Sequence, residues 1–274
     1  MPELPEVETV RNQIEAPLIG STVQDAGAFE HHKFTPALEL VGAKLTKVTR
    51  RGKFLICETD DDREFIVHLG MTGRITIDPQ LDADSDQSPY LRAWLEIKKP
   101  RNKSSRYFHF YDVRRFGRLR VVDAGDYSKI PTLHKMGPEP MSEAFTAKYL
   151  ADSVAKSSRT IKTQLLCQRP VAGVGNIYAD EALWLARISP TSTTLSLKRA
   201  ERLREAIQVV LQNGLDNGGT TLRDYKDAFG NEGTNQRQLE VYGRSGEDCS
   251  RCGTELYSKQ IDARTTTWCR SCQT

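Results

Sequence analysis

The sequence predicts an α+β protein of several domains: an N-terminal helix with an antiparallel β-sandwich or barrel, then a helical domain and a C-terminal metal-binding hairpin. Three observations predict this class. Apolar residues recur at helical spacing in residues 4–18, short strand-like segments separated by turn residues fill residues 44–122, and helical spacing returns in residues 144–215. With 274 residues the chain exceeds the size of one typical core. We place the domains at residues 1–135, 136–240 and 241–274.

The first helix is predicted at residues 4–18, with Pro5 in its first turn and Gly20 just past its end. Seven apolar segments separated by Gly, Asp, Pro or Ser predict the strands of the β domain. They are KLTKVTRRG, KFLICET, EFIVHLG, GRITI, RAWLEI, RYFHFYD and GRLRVV. The segment MGPEPMS at 136–142 predicts the linker that leaves this domain.

Four amphipathic patterns predict the helices of the second domain. They cover residues 144–156, 160–168, 176–187 and 197–215. The polar, Gly-rich segment 217–238 follows, and we expect it to be a long loop of the kind that often carries function.

Composition and charge bound the possible functions. No run approaches the roughly 18 apolar residues of a membrane helix, and MPELPEVETV has neither part of a signal peptide, so we expect a cytoplasmic protein with no membrane partner. The net charge is only +3, but residues 92–120 hold ten Lys or Arg against two acidic residues. This cluster favours a nucleic-acid partner, although solvated strand ends would produce the same pattern.

Two Cys-x2-Cys pairs separated by sixteen residues have the spacing of a zinc ribbon. We therefore expect one structural zinc ion in a finger hairpin, held by Cys249, Cys252, Cys269 and Cys272. Four thiolates leave the ion no open position for catalysis. The alternative, a redox pair or two disulfides, suits a reducing compartment less well.

Pro2 could make the N-terminus of the processed chain a nucleophile. Removal of Met1 would leave a secondary amine, and the positive end of the predicted helix should lower the pKa of that amine. Such an amine can attack C1′ of a sugar and form a cationic iminium that favours elimination, while Glu3 could supply a proton. The alternative is that Pro2 and Glu3 serve only to start a helix.

MPELPEVETV closely resembles the start of bacterial formamidopyrimidine-DNA glycosylase. The resemblance continues along the whole chain, through RRGKFL, HLGMTG, DVRRFG, GPEP, VAGVGNIYADEALW, GGTT, VYGR and the cysteine segment. It implies a helix-two-turn-helix element in the second domain and a base-excision repair enzyme. Such an enzyme removes oxidised purines, 8-oxoguanine and formamidopyrimidines, and then cleaves the strand by β,δ-elimination.

The resemblance also implies residue roles. Pro2 would form the Schiff base with C1′ and Glu3 would be the acid. Lys53 would contact phosphate and donate a proton, and Arg264, between the cysteine pairs, would grip phosphates and assist δ-elimination. The alternative is that Lys53 is one more exposed charge at the end of a strand.

Three side chains would fill the space left by the flipped base: Met71, Arg114 and Phe116. Without the resemblance, Met71 would be assigned to the core and Phe116 to a strand.

Further DNA contacts are implied for the second domain. Asn176 would open a helix after Gly173 and Gly175 and present N–H groups to phosphate. Arg159 and Lys162 would reach the same backbone, although Lys162 could instead be solvated. Tyr90 stands where many family members have a DNA-contacting histidine.

The expected partner is double-stranded DNA containing an oxidised base, bound by a monomer associated with the bacterial nucleoid. Two alternatives stay open. One is the related endonuclease VIII-like branch, which prefers oxidised pyrimidines. The other is a zinc-ribbon DNA-binding protein without activity, against which the presence of Pro2, Glu3, Lys53 and Arg264 argues.

Overall fold

The computed structural model describes residues 1–82 and 84–274. Contacts along the chain divide it into two units. The first unit contains residues 1–130 and 217–234, and the second contains residues 131–216 and 235–274.

The first unit consists of one helix and two antiparallel sheets of four strands each. The helix is α1 (Leu4–Leu18). The strands are β1 (Thr22–Ala28), β2 (Leu45–Arg51), β3 (Phe54–Thr59), β4 (Arg63–His68), β5 (Gly73–Asp78), β6 (Leu91–Lys98), β7 (Arg106–Asp112) and β8 (Arg118–Asp123). One sheet has the order β1-β6-β7-β5 and the other β2-β3-β4-β8. Short 3-10 helices lie at Thr35–Leu40 and Ser88–Tyr90.

Both sheets and α1 contribute side chains to one core. Alternate strand residues point inward, as the period of two requires, and α1 adds residues at helical spacing, including Val7, Val10 and Ile14. Leu55 of the β2-β3-β4-β8 sheet and Phe108 of the β1-β6-β7-β5 sheet are both at most 1% exposed. This arrangement confirms the predicted α+β class and the predicted helix and seven strands.

The second unit is helical and ends in a hairpin. Its helices are α2 (Pro131–His134), α3 (Ala147–Ala155), α4 (Ile161–Leu166), α5 (Asn176–Leu185) and α6 (Leu197–Asp216), with a 3-10 helix at Asn235–Gln238. The four predicted helices are confirmed, whereas α2 was not predicted. The hairpin pairs β9 (Tyr257–Ile261) with β10 (Arg264–Trp268).

Residues 217–234 group with the first unit, whereas the sequence boundaries placed them in the helical domain. Their contacts with α1 give the reason. The side-chain amide of Gln13 donates to Asp227 Oδ2 at 2.7 Å, and the backbone N–H of Ala228 donates to Gln13 Oε1 at 2.8 Å. The polar segment therefore has fixed hydrogen-bond partners on the N-terminal helix.

Candidate active site

The start of α1 is buried and held by a network of carboxylates. Pro2 is buried, and Glu3, the N-cap residue, is 1% exposed. Glu6 closes a capping box because its Oε2 accepts from the Glu3 backbone N–H at 2.8 Å. Its other oxygen, Oε1, accepts from the backbone N–H of Thr220 at 2.7 Å. One side chain therefore ties residues 217–234 to the segment that bears the candidate nucleophile and acid.

Gly219 shows how closely the two segments approach. Its φ is +93°, and a Cβ at this position would lie 2.8 Å from Cγ of Glu6. A larger residue would be strained by its backbone and would displace Glu6. The GGTT motif thus has a physical reason for glycine here.

Lys53 lies in the turn between β2 and β3 and is only 7% exposed. Gly52, with φ +56°, makes this turn. His68, at the end of β4, packs its ring against Phe54, with 4.7 Å between the ring centroids. Its Nδ1 accepts from the backbone N–H of Gly70 at 3.2 Å, which requires that nitrogen to be unprotonated. The charge of Lys53 lies within electrostatic reach of the His68 ring.

The environment of His68 disfavours its charged form. Burial, followed by the charges of Lys53 and Arg118, lowers the pKa of His68 to about 4. The unfolded chain, with a histidine pKa near ~6.5, therefore binds a proton between these values that the folded chain does not. The free energy of unfolding should fall as the pH drops from about 6.5 to about 4, by roughly 2 to 3 kcal/mol from this residue.

The variant His68→Asn tests this prediction, because asparagine can accept from the Gly70 N–H and does not titrate. Urea unfolding of both proteins at pH 7 and pH 4 should show a larger acid destabilisation for the wild type. Equal pH dependence in the two proteins would contradict the assignment.

Met71, Arg114 and Phe116 lie on two turns that the structure brings together. The guanidinium carbon of Arg114 is 4.8 Å from the Phe116 ring centroid. Met71 is 36% exposed and Phe116 is 47% exposed, so neither belongs to the core. Gly70, with φ +64°, permits the close approach, since a Cβ there would lie 2.4 Å from the Gly117 nitrogen.

A buried aspartate fixes these two turns. Asp112 is fully buried and accepts from Thr72 Oγ1 and from the Gly117 N–H, both at 2.6 Å. Thr72 Oγ1 in turn accepts from the Arg114 N–H at 3.1 Å. We call Met71, Arg114 and Phe116, the residues expected to fill the space left by the flipped base, the wedge residues. Their positions depend on Asp112 and Thr72, which the sequence analysis did not single out.

Tyr90 ends the 3-10 helix before β6 and is 36% exposed. Its phenol lies within electrostatic reach of Arg92, whose pKa is lowered most by burial and then by the charge of Arg115. The ring is therefore accessible near Arg92, and its DNA contact stays a prediction.

In the second unit, glycines precede the helix that carries Asn176. Gly173 has φ +82° and Gly175 is the N-cap of α5. The Asn176 amide donates to the Thr265 carbonyl at 3.3 Å and to the Tyr242 hydroxyl at 3.4 Å. Its Oδ1 is buried and has no hydrogen-bond partner in the part of the chain described. The helix start is thus held against the β9–β10 hairpin.

Lys162 corrects one sequence prediction. Its side chain is fully buried, and Nζ lies 2.6 Å from Asp180 Oδ1 and 2.7 Å from Thr266 Oγ1. An ammonium in this position cannot contact a DNA phosphate, because α4, α5 and β10 enclose it. Asp180 also accepts from the Thr267 N–H at 3.1 Å, so the pair joins two helices to the hairpin. Arg159, by contrast, is exposed and pairs with Asp262 at 3.1 Å.

Removal of Asp180 should destabilise the second unit strongly. Asp180→Ala would leave the Lys162 ammonium buried without its partner, at a cost of about 3 to 5 kcal/mol. The matched control is Asp152→Ala, which breaks an exposed pair with Lys148 at 2.7 Å and should cost less than about 1 kcal/mol. Urea unfolding of the full chain measures both, and equal losses would contradict the assignment.

The four predicted zinc ligands form a cluster. Their sulfur atoms all lie within 4.8 Å of one another, and the four cysteines are free thiols. In a tetrahedral site with Zn–S near 2.3 Å the sulfurs would be about 3.8 Å apart, so the donor set fits a metal ion. The predicted alternative of two disulfides is not observed among the described residues. Arg264 is exposed at the start of β10, after a turn in which Asp262 and Ala263 have positive φ.

Comparisons with known proteins identify the family. The model of the formamidopyrimidine-DNA glycosylase N-terminal domain matches residues 1–119, and the model of its H2TH domain matches residues 136–226. A formamidopyrimidine-DNA glycosylase of Deinococcus radiodurans is 39% identical over 100% of this chain and 97% of its own length. The chain belongs to the formamidopyrimidine-DNA glycosylase family.

Solved structures of formamidopyrimidine-DNA glycosylases agree with this membership. The MutM (Fpg) protein of Thermus thermophilus superposes with a TM-score of 0.89 at 39% identity, covering 99% of this chain and 98% of that one. The Lactococcus lactis Fpg in complex with DNA containing an abasic site gives a TM-score of 0.85 at 35% identity, covering 99% of each chain. Among the described residues of this family member, no helix has the length and apolar character needed to cross a membrane.

Proposed function

We propose that this chain is a bifunctional DNA glycosylase and abasic-site lyase that removes oxidised purines from double-stranded DNA. The observation that carries the proposal is the buried Pro2–Glu3 segment at the start of α1, in a chain that belongs to the formamidopyrimidine-DNA glycosylase family. The Lactococcus lactis relative was crystallised with DNA containing an abasic site, which supports DNA as the partner.

The reaction begins at the N-terminal nitrogen. After Met1 is removed, the Pro2 nitrogen attacks C1′ of the damaged nucleotide, the new N–C1′ bond forms, and the glycosidic bond breaks. Glu3 supplies the proton that the departing base or the opened sugar requires. The nitrogen then loses its proton and the C1′–O4′ bond breaks as O4′ is protonated, which gives an open-chain cationic iminium. The iminium acidifies C2′ and so permits β-elimination of the 3′ phosphate.

Other residues assist this chemistry. Lys53 contacts phosphate and moves a proton, and Arg264 grips phosphates and assists δ-elimination. Met71, Arg114 and Phe116 fill the space from which the base has turned out. Asn176, Arg159 and Tyr90 contact the DNA backbone, whereas Lys162 acts indirectly, by supporting the hairpin that carries Arg264.

The metal of the cysteine cluster is proposed to be one structural zinc ion. Cys249, Cys252, Cys269 and Cys272 would supply four thiolates, and zinc with this set is structural rather than catalytic. We place the enzyme with chromosomal DNA in the bacterial cytoplasm, acting as a monomer.

Borohydride trapping tests the proposed function. The chain beginning at Pro2 should become covalently linked to a duplex that contains one 8-oxoguanine opposite cytosine. Pro2→Gly should lose the adduct, while Pro5→Ala, in the same helix turn, should retain it. Absence of trapping by the correctly processed wild type would overturn the proposal. A preference for thymine glycol over 8-oxoguanine would instead favour the endonuclease VIII-like activity.

A further inference from the structure

Two consecutive arginines in the DVRRFG motif have different surroundings. Arg114 stacks on Phe116, with 4.8 Å to the ring centroid. Arg115 has a left-handed backbone with φ +56°, and its guanidinium lies 5.8 Å from the ring centroid of Phe29 instead. The left-handed turn therefore separates Arg115 from the wedge residues on either side of it.

Three more basic side chains surround Arg115. Lys33 Nζ donates to the Arg115 carbonyl at 2.9 Å. The rings of His31 and His32 lie 4.3 Å apart, centroid to centroid. Burial, then the nearby charges of His32, Lys33 and Arg115, lowers the pKa of His31, which places these side chains within electrostatic reach of one another. We refer to His31, His32, Lys33 and Arg115 as the basic patch.

Within residues 1–82 and 84–274, the basic patch has unused hydrogen-bond donors and no neutralising partner. In the described part of the chain, none of its four side chains forms an ion pair with a carboxylate, and the guanidinium N–H groups of Arg115 have no hydrogen-bond acceptor. His31 Nδ1 accepts from the Lys33 backbone N–H at 3.2 Å, so its Nε2–H remains available as a neutral donor. The positive charges of Arg115 and Lys33, which pair with no carboxylate in the described residues, favour an anionic ligand.

We propose that the basic patch binds a backbone phosphate of the DNA duplex, beside the base step that Arg114 and Phe116 enter. Arg115 supplies the planar fork of donors suited to phosphate oxygens, Lys33 adds a second positive charge, and the imidazoles of His31 and His32 add N–H donors. The proposal rests on the function proposed above. It gives the two arginines of the DVRRFG motif different roles, because Arg114 contacts a base and Arg115 contacts only the DNA backbone.

The salt dependence of DNA binding tests this division. Arg115→Asn removes the charge and keeps a residue that accepts a left-handed backbone. Loss of one phosphate contact should reduce the slope of log affinity against log salt by about 0.9. Raising salt from about 50 mM to about 200 mM should then cost the variant about threefold less affinity than the wild type. The weakening should be the same factor on undamaged DNA and on DNA with 8-oxoguanine, since a phosphate contact is independent of sequence.

Two matched variants serve as controls. Arg115→Lys keeps the charge and should retain the wild-type slope. Lys47→Gln removes an exposed lysine whose charge Glu58 already neutralises at 3.0 Å, and its slope should be unchanged. Melting temperatures of all variants establish that the fold is intact.

Two results would overturn the inference. An unchanged slope in folded Arg115→Asn means that no phosphate contact was lost, and a loss confined to lesion DNA means that Arg115 contacts a base. The wild type is tested in parallel by borohydride trapping. If it traps DNA while Arg115→Asn behaves like the wild type, the basic patch proposal alone fails; if the wild type neither binds nor traps, the proposed function fails.

Discussion

Retention of Met1 is expected to abolish covalent capture of DNA while leaving DNA binding within about twofold of the processed enzyme. In a chain that keeps Met1 the Pro2 nitrogen is an amide, its lone pair is delocalised into the carbonyl, and it cannot attack C1′. Pro2 is buried at the start of α1, whereas Met1 is 47% exposed. The extra residue can therefore be accommodated without unfolding the helix, and the loss should be chemical rather than structural.

The measurement compares two preparations of one chain. One carries a removable N-terminal tag ahead of Met1, and the other has been cleaved to begin at Pro2, as verified by intact mass. Only the cleaved preparation should be trapped by borohydride on 8-oxoguanine DNA, and both should shift the same duplex in a gel. A chain with a C-terminal tag controls for the tag itself. Equal trapping by the uncleaved protein would show that the nucleophile lies elsewhere.

The regular elements were predictable because their signals are local. The helix α1 shows apolar spacing and a terminal glycine, and β3 and β4 show continuous apolar runs, consistent with strands buried on both faces. Strand β1 (Thr22–Ala28) was missed, since TVQDAGA has one fully buried residue and pairs at the edge of its sheet. Its conformation is decided by pairing with β6, which the local sequence does not encode.

The candidate site was predictable only in part, because roles set by burial depend on tertiary contacts. In the sequence Lys162 is a basic residue that could contact phosphate, but in the fold its side chain is buried and pairs with Asp180. Asp112 lies two positions before Arg114, but its two short hydrogen bonds come from separate turns. Glu6 had a local signal, because Glu3 and Glu6 have capping-box spacing. Its second partner, Thr220, lies 214 positions away and could not be read from spacing.

The proposed zinc ligands flank the β9–β10 hairpin in the sequence, and Arg264 begins β10. The β9–β10 hairpin has strands of only five residues, and an isolated two-stranded hairpin is marginally stable at best. Beneath it is a small apolar cluster, formed by Trp184, Val241 and Leu256 with Cys249 and Cys269. Metal binding of about 10 to 16 kcal/mol in comparable small sites exceeds what this cluster can supply.

Loss of zinc should therefore release the hairpin and the residues that it positions. Arg264 begins β10, and the Thr265 carbonyl accepts from the Asn176 amide at 3.3 Å, so both candidate phosphate contacts lose their fixed geometry together. Affinity for lesion DNA should fall about 10³-fold, toward the level of non-specific binding. The two four-stranded sheets and α1 have their own core, so far-ultraviolet circular dichroism should retain most of the β signal.

Cys252→Ser and treatment with a chelator should produce the same loss, together with release of one equivalent of zinc measured by a colorimetric dye. Cys167→Ser is the matched control, because Cys167 is an exposed thiol outside the cluster and its sulfur donates to the Gln164 carbonyl of its own helix turn. Wild-type affinity and full zinc content are expected for it. If Cys252→Ser lost zinc and still bound lesion DNA normally, DNA binding by Arg264 would not depend on an ordered hairpin. The ion would then stabilise only the cysteine cluster itself. If it lost both zinc and the β signal, the first unit would depend on the metal as well, contrary to the separate core observed.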